Sequence, residues 1–260
     1  MLQNKIPLKN LILLDVFSYS CMNCLRSLEF IKKIDKAYKN KGLETIIVHP
    51  PEWNFEMSRS NIADFLKTHN IKFPVILDKD KKIIRKLKVD FWPAQILLKD
   101  GKVVYKHIGE GAYRNLERKI AKILGIEYLP IFRNEPKYTK FDILYLGKNK
   151  NGIIKSSKEN LKFGIAYKEG VWMQKNEFLQ STEKGCSMKI LTKGKIVSLV
   201  AGSLYGKPIN VKIKLNGKSM RSIRIKKPKL YRLAKLKYKK INTLTIIPQP
   251  NLALYSFSFQ

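Results

Sequence analysis

The first dense hydrophobic block is short and nearly unbroken. Leu11–Phe17 reads LILLDVF, which has the length and density of a strand buried on both faces. A different period follows: Cys24, Leu28, Ile31, Ile34 and Tyr38 recur at intervals of three and four. That spacing predicts a helix running to about Lys39, with Ser20 as its N-cap. Lys39-Asn40-Lys41-Gly42 closes it with cations and a glycine, both suited to a helix C-terminus. Glu44–His49 (ETIIVH) is then a second strand, giving a strand–helix–strand unit of parallel type. A loop, PPEWNFEM, leads to a helix from about Asn61 to His69. Phe73–Asp78 (FPVILD) reads as a strand, followed by a short helical stretch ending near Val89. Gln95–Leu98 and Val103–Ile108 are strands joined across Asp100-Gly101, a hairpin signal, and Tyr113–Leu124 is a closing helix.

After Gly125 the pattern changes. Residues 126–140 hold two prolines and no period. This places one domain at 1–126, a linker at 127–140 and a second domain at 141–260. The second domain shows no amphipathic helix, only short alternating segments: Leu161–Tyr167, Met188–Leu191, Ile196–Val200, Ile209–Leu215, Ser222–Ile225, Thr243–Ile247 and Leu254–Phe259. Turn signals separate them, among them Lys193-Gly194, Asn216-Gly217 and Pro248-Gln249-Pro250. The expectation is an antiparallel, all-β sandwich of jelly-roll-like kind.

Composition adds little to that outline, but charge does. With 44% hydrophobic and 28% charged residues the chain is globular rather than disordered. No stretch approaches the roughly 20 apolar residues of a membrane-spanning helix, and no secretory leader is visible. Residues 1–135 carry 25 Lys/Arg against 15 Asp/Glu, and residues 136–260 carry 27 against 5. Such a bias can mark nucleic acid or an anionic surface as a partner, here of residues 141–260. The lysines alternate with apolar residues as on solvated strand faces, so specific nucleic-acid binding is not expected.

The three cysteines carry the chemistry. Cys21 and Cys24 enclose Met22-Asn23, a redox or metal spacing, while Cys186 stands apart as an ordinary β-domain residue. A four-thiolate zinc site needs a second ligand pair, and the chain offers only Cys186 and three scattered histidines, so no metal is expected. A dithiol needs no further cofactor: the Cys21–Cys24 disulfide is itself the redox group. Helix N-terminal amides stabilise a thiolate at the first position, and a second cysteine one turn later can attack a mixed disulfide. Cys21 is therefore the expected nucleophile and Cys24, on the buried stripe, the resolving thiol. Asp15 interrupts an apolar strand, so burial should raise its carboxyl pKa into the range of a proton acceptor near neutrality. Trp92-Pro93 stands just before a strand, a position compatible with a cis peptide bond that would present backbone to a substrate.

These pieces occur in a recognisable order. The run FSYSCMNCLRSLEFIKKIDKAY, with Asp15 six residues before Cys21, resembles the thioredoxin-like domain of DipZ-type proteins, within the wider TlpA-like thiol–disulfide oxidoreductases. The likeness continues through VHPPEWNFE, FPVILD, FWPA and KHIGEGAY, covering nearly all of residues 8–124. It implies an α/β thioredoxin fold followed by the all-β sandwich, with Asp15 as the buried acid, Cys21 and Cys24 as the dithiol and Pro93 as the cis-proline. Glu52 matches a glutamate recurrent in the group. Trp92, Met22, Asn23 and Glu52 are the candidates for facing a substrate. In the second half YLG, GVWMQKNEFL, KLYRLAKL and ALYSFSF resemble the sandwich that follows in DipZ-type proteins, which is similar to carbohydrate-binding modules. On that analogy Trp172, Tyr205 and Tyr231 are candidates for stacking on a sugar.

The expected function is thiol–disulfide oxidoreduction on protein or small-molecule disulfides, with an unidentified electron donor or acceptor. The alternatives are a peroxiredoxin-like thiol peroxidase and a non-enzymatic module for glycans or anionic surfaces. FSYSC lacks the Pro and Thr that usually shape a peroxidatic loop. The compartment stays open between a cytoplasmic one, from the absent leader, and an extracytoplasmic one, from the resemblance.

Overall fold

The computed structural model describes residues 11–132, 142–157, 160–236 and 240–260. Two compact units divide the chain, Met1–Tyr138 and Thr139–Gln260. The first is built from β1 (Leu11–Val16), α1 (Met22–Tyr38), β2 (Leu43–His49), α2 (Arg59–Thr68), β3 (Val75–Leu77), α3 (Lys82–Lys86), β4 (Ala94–Lys99), β5 (Lys102–Ile108) and α4 (Tyr113–Leu124). Its five strands lie in the order β3-β2-β1-β4-β5. β1, β2 and β3 run parallel, while β4 is antiparallel to both β1 and β5. This is the thioredoxin-like arrangement the sequence implied.

Helices on both faces explain why all six residues of β1 are buried. Leu11 and Leu13 point to the face covered by Leu28, Ile31 and Ile34 of α1, Ile62 of α2 and Leu116 and Ile120 of α4. Ile12, Leu14 and Val16 point to the other, where Ile84 of α3 packs. Side chains alternate along a strand, so Asp15 falls on the α1 face. Asp100 and Gly101 turn the β4–β5 hairpin with φ of 50° and 76°, the paired positive values that a two-residue primed turn requires.

Two details depart from expectation. The N-cap of α1 is Cys21, not Ser20: the Cys21 sulfur accepts from the Cys24 amide at 3.3 Å, and the Ser20 hydroxyl is engaged elsewhere. Within the expected linker, residues 127–132 lie against the first core. The Ile131 amide donates to the buried Glu117 carboxylate at 3.1 Å, and Phe132 packs on Phe30 at 5.1 Å between ring centres. Residues 133–140 of that linker lie outside the described residues.

In the second unit one sheet orders its strands Lys229–Lys235, Ile196–Ser203, Leu252–Phe259, Leu179–Ser181 and Trp172–Gln174, with Asp142–Tyr145 also pairing Leu252–Phe259. The other orders Lys218–Ser219, Ile209–Leu215, Ile241–Pro248, Ser187–Lys193, Ala166–Glu169 and Ile154–Ser156, with Ile223–Ile225 pairing Ile209–Leu215. Neither closes on itself. Leu199, Leu254 and Phe257 of the first sheet share one core with Ile190, Val211, Ile213 and Leu244 of the second, so the unit is a sandwich. Its pairing is antiparallel except where Ile154–Ser156 runs parallel to Ala166–Glu169. The alternating runs marked the long central strands. Three-residue strands such as Trp172–Gln174 and Leu179–Ser181 are too short to show a period.

Candidate active site

β1, the central strand, ends at Val16, and five residues later the chain enters α1 through Cys21. In register, Val16 faces Ala94, so the Trp92-Pro93 peptide lies at the same end of the sheet as the start of α1. That peptide is cis, as the family resemblance implied, and the Pro93 carbonyl accepts from Gly109 at 2.7 Å. The topology thus gathers at one edge the dithiol, the cis-proline loop and the Gly109-Glu110-Gly111 turn after β5.

The two cysteines are unlike. Cys21 is partly exposed, whereas Cys24 is fully buried on the stripe of α1. Burial pushes the Cys24 thiol well above its ordinary value; the adjoining Cys21 sulfur and the charge of Asp15 act in the same direction. The Ser18 main chain opposes this through a hydrogen bond that favours the Cys24 thiolate.

Asp15 is 0% exposed. Burial raises its carboxyl from 3.8 to about 7, against a lowering by the Gln95 side chain. The Gln95 amide nitrogen donates to Asp15 Oδ1 at 3.4 Å and to Ser27 Oγ of α1 at 3.2 Å. Asp15 Oδ2 has no hydrogen-bond partner among the described residues. An orphaned buried carboxylate oxygen is costly, so its retention at this place points to chemistry.

The remaining candidates occupy the rim. Met22 and Asn23 are partly exposed in the first turn of α1. Asn23 Oδ1 accepts from Arg26 Nη2 at 3.1 Å. Arg26 also forms a forked ion pair with Glu110, whose side chain is nearly buried. Glu110 thus ties the β5–α4 turn to α1. Trp92 is partly exposed, contacts the cores on both faces, and carries the Lys81 ammonium 5.6 Å from its ring.

Glu52, the acid singled out in the loop after β2, is partly exposed, and its amide donates to Glu56 Oε2 at 2.6 Å. The buried acid of that loop is Glu56, which sequence reasoning passed over. Its Oε1 accepts from Ser18 Oγ at 2.8 Å, Ser20 Oγ at 2.6 Å and Ser20 N at 3.2 Å. A signal existed: Glu56 stands between Phe55 and Met57, an apolar setting for a charge, and two serines flank Tyr19 just before Cys21. Gln95, inside an otherwise apolar strand, was a second such signal.

In the sandwich, Trp172 is a core residue whose indole N–H donates to the Glu169 carbonyl at 3.0 Å. The Tyr231 hydroxyl donates to the Lys227 carbonyl at 2.6 Å, and Tyr205 is 72% exposed. Trp172 is thus removed from any stacking surface. Cys186 is buried and donates to the Val171 carbonyl at 3.0 Å. Among the described residues, no group of acidic, histidine or cysteine side chains is placed to hold a metal, and no helix is long and apolar enough to cross a membrane.

Comparison with known proteins agrees with this geometry. Residues 2–122 match the Redoxin family, and residues 155–259 match the family described as thioredoxin like C-terminal domain. Thiol-disulfide oxidoreductase ResA of Bacillus cereus is 35% identical over 124 residues, which is 46% of this chain and 69% of that protein. Protein DipZ of Mycobacterium bovis is 34% identical over 126 residues, 46% of this chain and 18% of DipZ, so the chain spans under a fifth of that relative's length. The solved structure of StoA from Bacillus subtilis covers 42% of this chain and 81% of its own, at 20% identity and a TM-score of 0.38. The CxxC pair at a helix start, the thioredoxin-like sheet beneath it and the match across most of ResA place this chain in the TlpA/DipZ-like family of thioredoxin-fold thiol–disulfide oxidoreductases.

Proposed function

We propose that the site reduces or exchanges protein disulfides through a Cys21 mixed disulfide. The Cys21 thiolate attacks one sulfur of the substrate disulfide and expels the other as a thiolate. Cys24 then attacks the Cys21 sulfur, so that the Cys21–Cys24 disulfide forms and the second substrate thiolate leaves. For that step Cys24 must give up its proton inside the core, and Asp15 is the acceptor. A carboxyl that titrates at about 7 can hold and release a proton near neutrality. The observation that carries the reading is the Cys21–Cys24 pair at the start of α1, with Cys21 partly exposed and Cys24, like Asp15 on the strand face that α1 covers, fully buried.

The cis-Pro93 loop and Trp92 stand at the same sheet end and would hold the substrate main chain beside Cys21. An extracytoplasmic compartment, where protein disulfides persist, suits this chemistry, and the resemblance to DipZ-type proteins supports it. The test is reduction of insulin disulfides with dithiothreitol as electron donor. Cys21→Ser is expected to bring the rate to that of dithiothreitol alone; full activity in that variant would refute the proposal.

A further inference from the structure

The mechanism above uses Cys21, Cys24 and Asp15 and leaves unexplained a second buried acid of the first unit, Glu56, which accepts four hydrogen bonds. Glu56 is 0% exposed and lies in the turn Asn54–Met57, over thirty residues from the dithiol in sequence. Its carboxylate collects four donors: Ser18 Oγ, Ser20 Oγ, Ser20 N and Glu52 N. Three of the four come from Ser18-Tyr19-Ser20, the segment that delivers the chain from β1 to Cys21. The middle residue is held by the same turn, since Tyr19 Oη donates to the Phe55 carbonyl at 3.3 Å and its ring packs on Phe55.

That segment bears on both sulfurs. The Cys21 amide donates to the Ser18 carbonyl at 3.1 Å, which fixes the approach of the chain to the helix. The Ser18 main chain also acts on Cys24, lowering its thiol against the rise that burial causes. An ionised carboxylate is an acceptor only, with room for about four donors, so Glu56 is matched to this cluster and a neutral amide is not. Burying a carboxylate is expensive unless it is fully hydrogen-bonded, and the serine hydroxyls and two amides meet that condition here.

The geometry points to Glu56 as a positioning residue for the resolving step: its carboxylate clamps Ser18-Tyr19-Ser20 so that the Ser18 main chain, which accepts from the Cys21 amide, keeps its place at the dithiol. This rests on the dithiol reading and assigns it a second buried acid with a separate task. Asp15 takes the proton from Cys24, and Glu56, which touches neither sulfur, holds the loop that stabilises the thiolate left behind. The first attack, by the partly exposed Cys21, depends less on that clamp.

The aromatic disulfide DTNB separates the two steps. Each molecule releases one thionitrobenzoate when Cys21 attacks it and another when Cys24 displaces the remainder from Cys21. For reduced wild-type protein mixed with equimolar DTNB, two phases of absorbance are expected. In Glu56→Gln the second phase should slow about tenfold or more and move its pH dependence upward, while the first changes by less than about threefold. Equal slowing of both phases, or no change in either, would overturn the assignment. Should Glu56→Gln fail to fold, Ser20→Ala removes one donor and should slow the second phase alone, by a smaller factor; equal slowing there overturns it as well. A wild-type protein that releases no second thionitrobenzoate would instead refute the dithiol reading, so the two failures are distinct.

Discussion

The two units bury polar groups in different ways. In the thioredoxin-like unit the buried polar residues include Asp15, Glu56, Gln95, Ser18, Ser20 and Ser27, gathered around the start of α1. In the sandwich those among the described residues are serines and threonines, with no carboxylate. Ser181 shows one way this is done: its hydroxyl donates to the Gln249 carbonyl at 2.9 Å and accepts from the Leu252 amide at 3.1 Å. A buried hydroxyl can be satisfied locally at small cost, whereas a buried carboxylate costs several kcal/mol, roughly, unless surrounded by donors. Among the described residues the first unit alone meets that expense, at Asp15 and Glu56 near the dithiol and also at Asp78, which bonds the first turn of α3, and Glu117 in α4. Buried charge therefore separates the reactive core from the structural one more sharply than burial or cysteine content does, since Cys24 and Cys186 are equally buried.

The largest effect should come from Asp15. The unfolded chain ionises this group near 3.8 and the folded one near 7, so between those values the folded state holds the extra proton. Stability contributed by the neutral carboxyl is therefore complete below pH 3.8 and is lost as pH rises toward 7. The three-unit difference corresponds to about 4 kcal/mol at full effect. Asp15→Asn should be more stable than wild type in denaturant titrations at pH 8, by an amount approaching that figure, and the gain should vanish near pH 4. Its disulfide turnover should nevertheless fall by about 100-fold, as loss of a general base predicts. A variant destabilised at pH 8 would show that Asp15 is structural.

Much of this was legible in the sequence. An acid interrupting the apolar run Leu11–Phe17 announced a buried Asp15, the helical period placed Cys24 inside and Cys21 outside, and the family resemblance put the cis-proline at Pro93. What escaped were residues whose importance lies in partners distant along the chain. Glu56 meets Ser18 and Ser20 across a loop, Gln95 reaches Asp15 across a strand pair, and Glu110 meets Arg26 across the domain. Neither local propensity nor periodicity encodes such pairings. For the same reason Ser20 looked like the helix cap: its residue type favours that role, but Glu56 claims its hydroxyl and leaves the cap to the Cys21 sulfur. In the sandwich the long strands were visible and the three-residue ones were not.

The smallest effect serves as the counterpart. Ser181→Ala, which deletes one of the sandwich's buried hydroxyls, should cost about 1–2 kcal/mol in thermal or denaturant unfolding of the second unit. Disulfide turnover should stay unchanged. A loss of turnover comparable to that of the site variants would erase the distinction between the two cores.

The central claim is that Cys21 carries the substrate and Cys24 releases it. The direct measurement is intact-mass analysis of reduced Cys24→Ser protein mixed with a disulfide-containing protein such as insulin, followed by peptide mapping. The account predicts a stable mixed disulfide located on Cys21, absent from wild type and unaffected by adding Cys186→Ser. No adduct, or an adduct that maps to Cys186, would contradict it.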